Sequence, residues 1–298
     1  MSTPTGREPA PQALALAGWP RPLAFVLSGG GSYGAAQIGM LRALDEAGVT
    51  PDLVVGSSVG ALNGAVVAAD PAGAADRLET VWSGVTRAQL FGGGRRIRML
   101  WTFLRWRKSL CRPEALRSVI ATWLPVESFD QLALPLAAVV TDLVTGEAVS
   151  LTSGELEPAL LASAAIPGVY PPVELEGQWY ADGGVTPNVP VRQAIAFGAR
   201  SVVVLNANPA QLTAKVPTTI LGSVVRASVM MLRSQRADAV DGLSLRHPIL
   251  YLPQVTPPSL SSFNFEHTPA LIEAAHQRTR DLLASMSGSP ADVSADGG

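Results

Sequence analysis

The chain has 298 residues, of which 47% are apolar and 15% charged, and its formal net charge is −2. This composition can bury a sizeable core, and the charge gives no basis for nucleic-acid binding. The single cysteine, Cys111, excludes an intramolecular disulfide. The apolar runs are too short to span a bilayer, and residues 1–20 lack the apolar stretch of a signal peptide. We therefore expect a cytoplasmic protein, either soluble or peripheral to a membrane.

Apolar runs alternate with helical patterns along the chain, which predicts a three-layer α/β/α sandwich with a mainly parallel central sheet. One domain is predicted over residues 21–286, with flexible tails at residues 1–20 and 287–298, because the tails are rich in small and polar residues. The predicted elements, in chain order, are strand Leu23–Leu27, helix Ala35–Ala47, strand Leu53–Val55, helix Val59–Ala69, strands Leu136–Val140 and Ala148–Leu151, helices Glu155–Ala165 and Val191–Phe197, strand Ser201–Leu205 and helix Thr268–Ala284.

A glycine-rich turn follows the first predicted strand and contains Gly29, Gly30, Gly31 and Gly34. Consecutive glycines let successive backbone N–H groups point into one concavity at a helix N-terminus. The turn is typical of a dinucleotide pyrophosphate site, of an oxyanion hole, or of a simple strand-to-helix connection. Asp52, which has the spacing of the acidic residue in a dinucleotide site, precedes its strand and so lies at the wrong end. This weakens the dinucleotide interpretation.

The second predicted strand is followed by a Gly-x-Ser-x-Gly pentapeptide, in which Gly56 and Gly60 flank Ser58. A nucleophile elbow needs small residues at these two positions because its turn is too tight for side chains. The neighbouring Ser57 lacks glycines in this register. The pattern predicts Ser58 as a nucleophile, although an ordinary turn in which this serine caps the helix has the same sequence signature.

A serine hydroxyl needs a neighbouring base, and none of the three histidines, His247, His267 and His276, lies in a small-residue turn after a strand. Each is expected to be a surface or loop histidine. The alternative base is Asp182, which Gly183 and Gly184 follow. Such a turn lets another element approach the carboxylate closely, but an Asp-Gly β-turn is also common in proteins without any catalytic role.

Together these motifs resemble the patatin-like phospholipase family, and the resemblance extends from about residue 23 to about residue 283. It includes residues 141–147, residues 163–167, and Asn188 with Pro190 after the Asp-Gly-Gly turn. The resemblance implies Ser58 as nucleophile, Asp182 as base and the Gly29–Gly31 backbone as oxyanion hole. One departure is Tyr33, which stands where the family often has Arg or Lys.

The motifs predict an esterase that acts through an acyl-serine, with no metal and no cofactor, and the family resemblance implies a lipase or phospholipase A-type enzyme that cleaves lipid acyl esters. Two alternatives remain open at this point. An acyltransferase would use the same acyl-serine, and a nucleotide-binding or scaffold protein would use only the glycine-rich loop. For Asp142 and Asn188, structural roles are expected, with bracing of the site loops as the alternative, and Trp82, Trp123 and Trp179 are expected to lie in the core or at its rim.

Residues 95–108 mix Arg and Lys with large apolar side chains and contain no acidic residue. Ile97, Leu100, Trp101 and Leu104 have helical spacing, which predicts an amphipathic helix. Such a helix suits peripheral contact with an anionic membrane and equally suits packing against protein. The sequence predicts a lipid or other acyl-ester substrate and no nucleic-acid partner, and it does not indicate the oligomeric state.

Overall fold

A computed structural model describes residues 16, 18–84, 113–209, 246–256 and 264–287. Residues 95–108 and Cys111 lie outside these ranges, as do most of the two predicted tails. Leu16 and Trp19, at the end of the first predicted tail, pack against the larger core cluster. None of the described helices combines the length and the apolar character needed to cross a bilayer.

The described strands form one eight-stranded sheet. The strands are β1 Leu23–Leu27, β2 Leu53–Ser57, β3 Leu136–Asp142, β4 Ala148–Leu151, β5 Val173–Leu175, β6 Gln178–Asp182, β7 Ser201–Leu205 and β8 Ile249–Tyr251. Their order in the sheet is β5-β6-β3-β2-β1-β7-β8, with β4 also paired to β3. Strands β3, β2, β1, β7 and β8 are mutually parallel, and β4, β5 and β6 are antiparallel to their neighbours.

Helices cover both faces of this sheet, which confirms the predicted three-layer α/β/α class. Alternate residues of each central strand enter two separate apolar clusters: Phe25 of β1 belongs to the larger cluster, whereas Ala24 and Val26 belong to the smaller one. The helices are α1 Ala35–Glu46, α2 Val59–Ala69, α3 Ala74–Ser83, α4 Pro113–Trp123, α5 Leu156–Ser163, α6 Val191–Ala196 and α7 Thr268–Ser287.

The long C-terminal helix α7 packs against α1 with unusually close backbones. A Cβ atom built at Gly39 of α1 would collide with the carbonyl oxygen of Ile272 and lie 2.7 Å from the amide nitrogen of His276. Only glycine fits at this crossing. The contact ties α7 to the helix that follows the glycine-rich turn.

The sequence predicted the central strands well and the short peripheral elements poorly. The runs that became β1, β4 and β7 have the predicted bounds, and β2 and β3 extend two residues further. Strands β5, β6 and β8 were not predicted, because they are short and have exposed or half-buried residues instead of a continuous apolar run. Helices α3 and α4 were also missed.

Candidate active site

Two strands end at adjacent positions along β3, and this arrangement assembles the site. The last residue of β2, Ser57, is opposite Val139, and the last residue of β6, Asp182, is opposite Val140. β2 runs parallel to β3 and β6 runs antiparallel to it, so the two strands reach this level of β3 from opposite directions. The turns after β2 and β6 therefore begin next to each other. Residues 124 positions apart in sequence, Ser58 and Asp182, are thereby brought together.

Ser58 occupies a strained turn between β2 and α2. Its φ of 56° and ψ of −128° are rare for a residue with a side chain. The turn depends on both flanking glycines, since a Cβ at Gly56 would collide with the Gly60 carbonyl and one at Gly60 with the Leu27 carbonyl. Ser58 stands at the N-terminus of an 11-residue helix, where backbone N–H groups favour negative charge. This is the geometry of a nucleophile elbow.

The Ser58 hydroxyl donates a hydrogen bond of 2.6 Å to Oδ2 of Asp182. The other carboxylate oxygen, Oδ1, accepts the Gly184 N–H at 2.7 Å. Burial raises the pKa of the Asp182 carboxyl to about 7, and the hydrogen bonds from Ser58 and Gly184 act in the opposite direction. A carboxyl group with this pKa can accept and return a proton near neutral pH.

The glycine-rich turn lies beside the serine, but its three amides differ. Gly29 donates its N–H to the Asn188 carbonyl at 3.1 Å, and a Cβ there would lie 3.2 Å from the Ser58 Cβ. Among the described residues, the N–H groups of Gly30 and Gly31 meet no acceptor. Gly31 has a φ of 60°, in the left-handed region. Of the predicted oxyanion group of Gly29, Gly30 and Gly31, the last two are thus the donors without an acceptor in the described part of the chain, and Gly29 allows the turn to approach Ser58 closely.

A chain of buried amides holds this turn in place. Trp82 Nε1 donates to Asn63 at 2.9 Å, and Asn63 Nδ2 donates to Gln37 at 2.8 Å. Gln37 Nε2 then donates to the Ser28 carbonyl at 2.9 Å and to the Leu205 carbonyl at 3.0 Å. Sequence reasoning missed Gln37 and Asn63, because amides within helices carry no motif. Trp82 and Trp123 lie in the core as predicted.

The carboxyl end of β7 braces the same turn from the other side. Asn208 Nδ2 donates to the Gly29 carbonyl at 3.2 Å and to Asn206 Oδ1 at 2.9 Å. The Ala207 N–H donates to the Ser28 hydroxyl at 2.9 Å. Only the folded sheet reveals this bracing, because β7 follows β1 by more than 170 residues in sequence.

Ser163 is a further residue that sequence reasoning did not assign a role. Its buried hydroxyl accepts the backbone N–H of Ser58 at 3.0 Å and donates to the Val139 carbonyl at 2.7 Å. It therefore anchors the strained elbow to β3. The available signal was its position in residues 163–167, which carried part of the family resemblance.

No histidine contacts Ser58 or Asp182 within the described residues. His247 lies beside the Arg200 carbonyl, at the amino ends of β7 and β8. His276 was expected to be a surface or loop histidine, and this expectation was wrong. It is buried on α7, with Nε2 2.8 Å from Glu46 Oε1, because the α1–α7 contact covers it.

Three other residues singled out in the sequence have local roles. The Asp142 carboxylate accepts the N–H groups of Val144 and Thr145 in the turn after β3, and these bonds lower its pKa. Tyr33 is buried, which raises the pKa of its phenol to about 12 and keeps it uncharged. Asp52 binds the Leu23 N–H at the amino end of β1, away from the glycine-rich turn.

Asn188 contacts both loops of the site. Besides accepting the Gly29 N–H through its carbonyl, it directs Oδ1 toward the positions where a Cβ at Gly29 or Gly184 would stand, at 2.6 and 3.2 Å. The absence of side chains at these glycines makes room for it. Across the described ranges, no cluster of three or more His, Cys, Asp or Glu side chains could hold a metal ion.

Solved structures share this fold. VipD from Legionella pneumophila has a TM-score of 0.53 at 16% identity, over 91% of this chain and 69% of that chain. Human GIVD cytosolic phospholipase A2 has a TM-score of 0.52 at 12% identity, over 94% of this chain and 62% of that chain. At these identities the likeness concerns the fold alone.

Sequence comparison identifies nearer relatives. An uncharacterised NTE family protein of Mycobacterium tuberculosis is 32% identical over 201 residues, 67% of this chain and 53% of the relative. A lysophospholipase of Mycosarcoma maydis is 31% identical over 188 residues, 60% of this chain and 9% of that protein. This chain thus spans about half of the mycobacterial relative's length. The family model of patatin-like phospholipases matches residues 25–195, and the chain belongs to that family.

Proposed function

We propose that this chain is a serine acyl hydrolase that cleaves lipid acyl esters through a Ser58–Asp182 dyad. The observation that carries the proposal is the 2.6 Å hydrogen bond between the Ser58 hydroxyl and the buried Asp182 carboxylate, made from a strained elbow. Membership of the patatin-like phospholipase family and a relative named as a lysophospholipase support a lipid ester as substrate. A turn that only connected β2 to α2 would not need a strained, positive φ at Ser58.

The reaction begins when Ser58 Oγ attacks the ester carbonyl carbon and its proton passes to Asp182. The negative oxygen of the tetrahedral intermediate accepts hydrogen bonds from the Gly30 and Gly31 amides. The intermediate collapses, the C–O bond to the alcohol breaks, and Asp182 protonates the departing alcohol. Water then attacks the acyl carbon while Asp182 takes one of its protons. The bond between the acyl carbon and Ser58 Oγ breaks, the fatty acid leaves, and Asp182 returns the proton to Oγ.

Much of the rate enhancement should come from the glycine amides. A carboxylate with a pKa of about 7 is a modest base toward a serine hydroxyl. Preorganised backbone donors cost no reorganisation during the reaction, and loss of one such donor typically lowers turnover by about 10²–10³. The Trp82–Asn63–Gln37 chain and the Asn208 brace supply that preorganisation.

The test compares Ser58→Ala, Asp182→Asn and Ser57→Ala in hydrolysis of a panel of lipids and in labelling by a fluorophosphonate. We expect Ser58→Ala to lose both activities and Asp182→Asn to lose nearly all turnover, although its side chain is isosteric. Ser57→Ala is the matched control, because Ser57 is also buried and its hydroxyl has no hydrogen-bond partner among the described residues. It should retain hydrolysis and labelling.

Full hydrolysis by Ser58→Ala would refute the proposed mechanism. Product analysis with and without an added acceptor alcohol distinguishes hydrolysis from acyl transfer, since both begin with the same acyl-serine. A chain that served only as a nucleotide-binding protein or scaffold would not be labelled by the fluorophosphonate at Ser58.

A further inference from the structure

Large exposed apolar side chains are concentrated on β6 and in the turns after β3 and β6, close to the edge strand β5. Val144 is 78% exposed, Leu143 48%, Trp179 43% and Val185 38%. The other large apolar residue with comparable exposure in the described ranges, Tyr251 at 39%, lies on β8 at the far end of the strand order. We call the first four residues the apolar edge. Its exposure has an unfavourable hydration free energy that contact with an apolar phase would remove.

The apolar edge is connected to the dyad by hydrogen bonds. The Leu143 N–H donates to the Trp179 carbonyl at 2.9 Å, which continues the register of β3 and β6. Two residues earlier, the Thr141 hydroxyl binds the Asp182 carbonyl and the Thr186 hydroxyl, both at 2.9 Å. Val185 directly follows the Asp182-Gly183-Gly184 turn. Leu143 and Trp179 therefore belong to the same β3–β6 pair as Asp182, three or more residues away from it along the chain, and Val185 belongs to the turn after β6.

The charges around the apolar edge restrict what can cover it. No lysine or arginine occurs between residues 118 and 191, all of which the structure describes. Exposed carboxylates flank the edge instead: Glu174 is opposite Trp179 in the β5–β6 register, and the Glu147 carbonyl accepts the Asp142 N–H at the base of the loop. An anionic surface would repel these groups. A lipid surface without net charge would not.

We propose that the apolar edge is the surface through which this chain contacts a lipid bilayer without net charge. Val144 and Leu143 enter the acyl boundary from the loop, and Trp179 lies at the headgroup level, where indole rings are favoured. The contact brings the dyad to the lipid surface. The inference rests on the proposed function, because a lipid-borne substrate is the reason to choose a bilayer over a protein partner.

The experiment measures co-sedimentation with phosphatidylcholine vesicles in a Ser58→Ala background, so that hydrolysis cannot alter the lipid. We expect the double substitution Val144→Glu and Trp179→Ala to weaken binding at least about tenfold, since it removes an aromatic and an aliphatic anchor. Tyr251→Ala is the matched control, because Tyr251 is a similarly exposed aromatic residue at the opposite end of the strand order. This variant should bind the vesicles normally. With Ser58 intact, the double variant should hydrolyse a soluble short-chain ester at the unaltered rate.

Three results would overturn the proposal: no binding of the Ser58→Ala chain to phosphatidylcholine, equal binding with and without the double substitution, or a change only in self-association measured by ultracentrifugation. The last would identify a contact between copies of the chain. Failure of the proposed function has a different signature: Ser58→Ala would hydrolyse the soluble ester at the wild-type rate. Vesicle binding does not depend on turnover, so the two failures can be told apart. Thermal melting of each variant excludes unfolding as the cause.

Discussion

At the residue scale, the site combines a strained serine with a carboxyl group that burial makes more basic. The positive φ of Ser58 and the desolvation of Asp182 both carry a free-energy cost in the folded chain. The Ser58–Asp182 and Gly184–Asp182 hydrogen bonds offset part of that cost. Strain and desolvation of this kind concentrate at functional sites, which is why the dyad supports catalysis more strongly than an Asp-Gly-Gly motif does.

The first prediction concerns pH. Asp182 accepts a proton only in its carboxylate form, and burial raises its pKa to about 7. We expect kcat/KM for an uncharged, soluble short-chain ester to rise about tenfold per pH unit below 7 and to level off above it. Stopped or continuous assays between pH 5 and 9 measure the profile. A rate already constant from pH 5 upward would show that Asp182 titrates near the ordinary value for aspartate.

The second prediction concerns Ser163. Replacing it with alanine removes the acceptor for the Ser58 N–H and the donor to the Val139 carbonyl. The Ser58 N–H then loses its acceptor, and a buried N–H without a partner costs about 1–3 kcal/mol. We expect kcat and the rate of fluorophosphonate labelling to fall at least about tenfold, with little change in KM.

Ser57→Ala is the matched control for Ser163, because it removes a buried hydroxyl that makes no hydrogen bond to a described residue. If the role of Ser163 were purely structural, its variant would lose thermal stability but would not show a fall in kcat at constant KM. Equal labelling rates for Ser163→Ala and Ser57→Ala at matched stability would contradict a positioning role.

At the scale of elements, the contact between α1 and α7 depends on a single glycine. We expect Gly39→Ala to destabilise the fold by about 1–3 kcal/mol, because the new Cβ meets the backbone of α7 and the helices must separate. Alanine's higher helix propensity, worth about 1 kcal/mol, offsets this only partly. Urea unfolding measures the difference.

Gly64→Ala is the comparison variant for Gly39→Ala, since Gly64 also lies within a helix. Its nearest neighbour would be a terminal methyl of Val54 at 3.0 Å, which can shift more easily than backbone. The loss at Gly64 should therefore be smaller. A larger loss at Gly64 than at Gly39 would mean that the α1–α7 crossing relaxes readily.

At the scale of the whole molecule, the basic residues and the apolar edge predict two different membrane contacts. Residues 95–108 lie outside the described residues, so their role stays a prediction from sequence. Changing Arg95, Arg96, Arg98 and Arg105 to Gln should weaken binding to phosphatidylglycerol vesicles at least about tenfold, since each cation contributes about 1 kcal/mol near an anionic surface. Hydrolysis of a soluble ester should be unchanged. Unaltered binding would favour packing of this segment on protein.

Much of the fold was predictable from the sequence because the central strands are buried on both faces. Such strands appear as continuous apolar runs, and helical patterns between them predict parallel pairing. The elbow and the glycine-rich turn were equally predictable from the sequence, since each needs glycine at set positions for steric reasons. The Asp-Gly-Gly turn was found, but the strand that delivers it was missed, because β6 is exposed at its start and has no apolar run.

The sequence by itself determined which residues could be nucleophile and base, through local steric requirements that single motifs express. The tertiary structure alone decided that Ser58 and Asp182 meet, since their contact depends on two strands ending at adjacent residues of β3. It also decided that Gly29 is committed to Asn188 and that Ser163 anchors the elbow. These facts arise from contacts between distant segments, and hydrogen-bond partners of that kind leave no periodic or local pattern in a sequence.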